Sequence, residues 1–198
     1  MPFIIGKVYE NEHFTPELEG WTRMDDGNIL KDQLKALPIA LMTVVVMTLI
    51  YRAYEIEMGD SLLVLLALFI IIVPLHEFIH AFFLPDSLRS DKVFFGLYPK
   101  GMAFYVHYEG GLSKTRFLVV MIAPFVILSI VPMIILIVFD LHISYIARMS
   151  VLNGLLACVD LLGFSTIVRK IPRNATIRNK GSKTYWKVQE IRNFESGA

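Results

Sequence analysis

Between Ser61 and Leu84 the chain runs for 24 residues with three ionisable side chains, His76, Glu77 and His80. They sit together in Ile70-Ile-Ile-Val-Pro-Leu-His-Glu-Phe-Ile-His-Ala-Phe-Phe83. A run of this length and apolarity meets the roughly 20-residue requirement for a membrane-spanning helix. On a helix the two histidines, four positions apart, project from one face one turn apart, and two imidazoles so placed can grip a single metal ion. In this H-E-x-x-H spacing Glu77 is a general base rather than a ligand, taking a proton from a water that zinc acidifies. An ionised group at mid-bilayer costs roughly 2.5–3.5 kcal/mol, so a motif of this kind inside a span points to function rather than chance.

Composition places the rest of the chain around that helix. Of 198 residues 55% are hydrophobic, and the mean hydropathy of +0.57 lies outside the range of ordinary soluble domains. The fold class expected is a mainly α, polytopic membrane protein, with four transmembrane helices and small cytoplasmic β-hairpins. The spans fall at about 36–54, 61–84, 117–139 and 143–168. The single Cys158 excludes an internal disulfide and reads as packing. Residues 1–35 carry seven acidic and four basic side chains without an apolar core, so no secretory signal is expected and insertion uses the internal spans.

The polar segments have their own signals. Residues 1–35 form an N-terminal segment with turns at Thr15-Pro16 and Asp25-Asp-Gly27-Asn28, and its His13 is expected in solvent. In the loop 86–116, Val93–Tyr98 and Met102–Tyr108 flank Pro99-Lys-Gly101 and predict a hairpin at the membrane surface, where a strand edge could pair with an extended peptide. His107 is expected on a face of that hairpin. The tail 169–198 holds eight basic residues and two acidic ones, and a second hairpin around Lys180-Gly-Ser182. Charge alone does not make it a nucleic-acid binder; anionic lipid is its expected neighbour. Within the spans, Pro74 is expected to kink or loosen the second helix near His76, and Pro124 and Pro132 to kink the third. Arg148 is expected to snorkel to the outer interface.

Charge sets orientation. With four spans, the N-terminal segment, the 86–116 loop and the tail share one side and carry four, five and eight Lys or Arg, against Arg52 and Arg148 on the other. The positive-inside rule then makes both termini cytoplasmic in a multi-pass protein of the cell membrane. The second and fourth helices run the same way. His76 lies eight residues before Leu84 and Asp160 eight before Val168, so both sit about 12 Å from the inner edge. Catalytic zinc takes three protein ligands and a water. Asp160 combines an ionisable oxygen ligand with that depth and helix direction, since Glu77 points away from the histidine pair and is needed as base, His107 and His142 fall outside the hydrocarbon and Cys158 faces another way. Asn153, two turns before Asp160 on the same face, is a candidate for holding a substrate carbonyl or a ligand, or for an interhelical polar contact.

The HEFIH span with Asp160 two spans later resembles the core of the site-2 proteases, the zinc intramembrane metalloproteases. Chain size, Ser113-Lys114 leading to Ala123-Pro124, and the Asn153 to Asp160 segment more closely resemble a family of small bacterial membrane proteins described as zincin peptidases. The resemblance spans about residues 60–170. It implies His76, His80 and Asp160 as Zn2+ ligands, Glu77 as catalytic base and a peptide or membrane-protein substrate. The function expected is a membrane-embedded zinc metallopeptidase acting near the cytoplasmic face. The alternative is a non-catalytic metal-binding scaffold, which a fourth protein ligand would favour. A metal transporter would want more intramembrane acids than Glu77 and Asp160.

Overall fold

The structure, a computed structural model, describes residues 2–24, 28–101 and 103–188. The turn expected at Asp25-Asp-Gly27 and the last ten residues of the basic tail lie outside the described residues. Helix α1 (Ile29–Ala53) begins inside the segment that the sequence assigns to the polar N-terminus. The reason is local: the Asn28 side chain accepts from the Lys31 N–H at 3.0 Å, and Asp32 complements the positive end of the helix. Its buried residues, Ala36, Ala40, Thr43, Met47 and Tyr51, recur every three or four positions and make one narrow inward stripe.

Helix α2 (Leu62–Phe82) starts at the N-cap Ser61 and runs unbroken through Pro74, where the sequence anticipates a loosened turn. Ile72, His76 and Ile79 line its inward face, while Leu63 and Ile70 remain 79% and 71% exposed, a surface suited to lipid. The third apolar run is a continuous rod of α3 (Lys114–Phe125), a π-turn (Val126–Ile130) and α4 (Val131–Val138). Pro132 has no N–H to offer the Leu128 carbonyl one turn back. Immediately before it the ladder widens, and Val131 N–H bonds to Val126 O, five residues earlier. These three helices are long and apolar enough to cross a membrane.

The fourth expected span departs from a single straight helix. It is divided into α5 (Ser144–Leu156) and α6 (Cys158–Lys170), bent by 50° at Ala157, and makes a fourth span only if the pair counts as one. Gly154 lets α5 approach α1 closely: a Cβ there would stand 2.9 Å from Thr43 Cγ2 and 3.0 Å from Met47 Sδ. Arg148 reaches the loop between α1 and α2. It is 8% exposed, and its Nε and Nη1 donate to the Met58 and Ser61 carbonyls at 2.7 Å each, because those loop carbonyls accept its fork within reach of α5.

Two sheets cap one end of the helices. In the first, β1 (Phe3–Ile5) lies parallel to β3 (Val93–Tyr98), which pairs antiparallel with β4 (Ala103–Tyr108) across a 3-10 turn at Pro99–Gly101, with Phe95 opposite Val106. In the second, β2 (Thr22–Arg23), β7 (Lys183–Val188), β6 (Ala175–Lys180) and β5 (Leu112–Ser113) are neighbours in that order. Val93, Phe95, Val106 and Tyr108 pack with Ala81 and Leu84 at the end of α2, and Ala175 and Ile177 pack with Ile167 and Ile171 at the end of α6. The first turn of α3 ties the two helix ends together. Lys114 Nζ donates to Val168 O and Ile171 O at 3.1 and 2.6 Å, and Arg116 Nη2 to Leu84 O at 3.2 Å, satisfying terminal carbonyls with positive charge.

Candidate metal centre

The site forms where α2, α3, α5 and α6 meet. Buried polar groups there are anchored step by step, and hydrogen-bond roles can be read from groups that only accept. The Asn153 amide nitrogen donates to the Pro124 carbonyl at 3.0 Å and to Ser129 Oγ at 2.8 Å, which turns Asn153 Oδ1 toward α2. That oxygen lies 2.9 Å from His76 Nδ1, so Nδ1 carries the proton and donates. On the next turn His80 Nδ1 lies 2.8 Å from the Val120 carbonyl and must also donate. Ser129 donates in turn to Ser150 O, and Ser150 to Ala147 O, leaving Tyr51 to donate to Ser150 Oγ at 2.5 Å. Asn153, Ser129 and Ser150 are fully buried and satisfied, a network that holds one arrangement.

With both Nδ1 atoms committed as donors, each imidazole in its neutral form turns a lone pair at Nε2 toward the other. The two Nε2 atoms are 3.1 Å apart, and Asp160 Oδ2 lies 3.0 Å from that of His76 and 3.5 Å from that of His80. Three acceptors thus converge, and one shared proton can serve only one edge of the triangle. A cation serves all three. Bonds of about 2.0–2.1 Å to a tetrahedral zinc imply ligand separations of roughly 3.3 Å, which is the scale of this triangle, and leave the fourth vertex for a substrate or water. Carboxylate oxygen and imidazole nitrogen are also donors that zinc accepts. Among the described residues no fourth His, Cys, Asp or Glu joins the cluster.

Glu77 stands beside the triangle without entering it. Val106 of β4 is its neighbour across the site, on a strand whose second edge has no strand neighbour among the described residues. A cavity of about 630 Å3 is lined by Asp160 and Val106 and extends to Lys35 on α1, Lys170 on α6 and Ser182 in the β6–β7 turn. Of the roles open to Asn153, orienting His76 fits the geometry, since both amide hydrogens already have partners within the bundle. Asn153→Ala is therefore expected to weaken zinc binding by about 10–100-fold, the usual cost of losing a group behind a ligand, measured by competition with a chelator.

The other histidines stand apart from the triangle. His13 is exposed and His142 lies by Asp140 and the Glu55 carbonyl. His107 is buried against the rings of Tyr9 and Phe94 and also lines the cavity. Burial pushes its pKa down to about 4, with Arg178 acting the same way and Glu109 opposing. The folded protein then stays neutral at this ring where an unfolded chain, with a pKa near 6.5, takes up a proton. Stability at this group is complete above about pH 6.5 and is lost as pH falls toward 4, by roughly 3 kcal/mol. His107→Phe should flatten that part of a stability curve measured by thermal melting against pH.

Residues 69–176 match the family described as "Putative zincin peptidase". The match covers more than half of the chain, including every residue of the triangle. The chain belongs to this zincin peptidase family. No curated protein and no solved structure matches it. Membership in this family implies a metal, zinc by the family's name, and the His76, His80 and Asp160 triangle is where the chain has the donors for it. Sequence reasoning missed the Val120 and Pro124 carbonyls, whose signal is Pro124 itself, and Ser129, whose role emerges only once the π-turn faces it toward α5.

Proposed function

We propose that this protein is a membrane-embedded zinc metallopeptidase that hydrolyses a peptide bond near the cytoplasmic membrane face, in the manner of the site-2 proteases. The observation that carries the reading is the convergence of three acceptor atoms from His76, His80 and Asp160 with Glu77 beside them. Bound by these three residues, zinc would supply Lewis acidity to the attacking water and the scissile carbonyl. Glu77 takes the proton from that water and returns it to the leaving amine. The edge of β4 that has no strand neighbour among the described residues would give an extended peptide a backbone to pair with, next to that base, and the cavity gives its side chains room. His76 and His80 stay in productive orientation because Asn153 and Val120 hold their far nitrogens.

Three ligands rather than four among the described residues favour the catalytic reading over the scaffold, since structural zinc sites are closed by protein on all sides. The test is hydrolysis by the purified full chain in lipid vesicles, using a panel of membrane-anchored and soluble peptides with products read by mass spectrometry. Cleavage that stops with a zinc chelator and returns with added zinc is the expected result. Zinc-loaded protein that cuts nothing in the panel, or cutting that ignores the chelator, contradicts it.

A further inference from the structure

In an α-helix the carbonyl of residue i accepts from the N–H of residue i+4. For Val120 that donor would come from residue 124, which is proline and has no N–H. Helix α3 is otherwise continuous from Lys114 to Phe125, so Val120 is a carbonyl whose axial partner is missing by sequence, inside a packed bundle. The proline ring also crowds the carbonyl four residues back and tilts it off the helix axis. The Val120 carbonyl is the one that receives His80 Nδ1–H, at 2.8 Å. Pro124's own carbonyl receives the Asn153 amide at 3.0 Å, and the oxygen of that same amide accepts His76 Nδ1–H at 2.9 Å. One fully buried residue therefore stands behind both imidazoles.

We propose that Pro124 is the positioning residue of the centre: by withholding a backbone N–H it hands the Val120 carbonyl to His80, while its own carbonyl fixes the amide that holds His76. The consequence for zinc rests on the reading of these histidines as ligands. With the N–H restored, the Val120 carbonyl regains its axial bond, and the imidazole loses its best-directed partner. His80 then samples its other tautomer and other ring orientations, and the lone pair at Nε2 is no longer held toward His76 and Asp160.

The test compares full-length protein carrying Pro124→Ala with protein carrying lactic acid at position 124. Lactic acid supplies a backbone ester with neither the N–H nor the ring. Alanine is the best helix former, so the first variant should fold, and Pro38→Ala in α1 controls for loss of a helix proline elsewhere. Zinc affinity by chelator competition should fall about 10–100-fold in Pro124→Ala, return with lactic acid and stay unchanged in Pro38→Ala. Nitrogen-15 resonances of His80 in metal-free protein, assigned by His80→Gln, should show a protonated Nδ1 in the wild type and with lactic acid, and a tautomer mixture in Pro124→Ala. Wild-type affinity and tautomer in Pro124→Ala, or a lactic acid protein that behaves like Pro124→Ala, overturns the proposal. If His80→Gln binds zinc as the wild type does, the ligand reading fails, while the nitrogen resonances still decide whether Pro124 sets the ring.

Discussion

Glu77→Gln is expected to keep its zinc and its fold while hydrolysis falls by about 10²–10⁴-fold, the range that a positioned general base contributes. The amide is nearly isosteric, so nothing in the packing of α2 against β4 has to change. What is lost is the ability to take a proton from the attacking water and deliver it to the leaving amine. Because Glu77 lies outside the three-atom cluster, zinc content should match that of the wild type. Metal analysis and a cleavage assay on the same preparation separate the two effects. Normal turnover in this variant would sink the enzymatic reading, and loss of zinc would make Glu77 a ligand instead.

The other large effect is expected at the triangle itself. Asp160→Ala removes one of three ligand atoms that lie 3.0 to 3.5 Å apart, and leaves two imidazole lone pairs facing each other with no carboxylate. Zinc affinity should fall further than the about 10–100-fold expected from losing a group behind a ligand. His76→Ala and His80→Ala should do the same. A second readout comes from linkage: zinc at a hundred times its dissociation constant stabilises a folded protein by about 2.7 kcal/mol, so the wild type should melt higher with zinc added and the three variants should not. An equal zinc-dependent shift in Asp160→Ala would exclude the carboxylate from the site.

How much of this was legible in the sequence differs from residue to residue. The HEFIH helix was, because a three-residue polar motif in an apolar run of span length leaves few alternatives, and its four-residue spacing dictates a shared face. Asp160 was approachable through depth along the helix, yet the structure reaches its position by another route. The helix bends by 50° at Ala157, so Asn153 and Asp160 contact opposite nitrogens of the His76 ring from two different helices. Nothing at Ala157 announces that bend, as no proline stands there. The start of α1 was signalled by Asn28 and Asp32, a capping pattern outweighed by the polarity of the surrounding residues. The pairings of β1 with β3 and of β2 with β7 join segments about ninety or more residues apart in two short-stranded sheets, and such partners are set by packing on the helix ends rather than by local pattern. Lys114 shows the limit of reading charge alone, since it counts toward an exposed basic loop yet is buried on the last carbonyls of α6.

The most direct measurement is X-ray absorption at the zinc edge on the purified full chain, with zinc counted in the same sample and in Asp160→Ala. The expected result is a single zinc per chain, with two imidazoles at about 2.0–2.1 Å, oxygen donors at about 2.0–2.2 Å and no sulfur, and with zinc lost from the variant. A sulfur shell at about 2.3 Å, which would bring in Cys158, or an unchanged spectrum from zinc-loaded Asp160→Ala, would contradict a centre built from His76, His80 and Asp160.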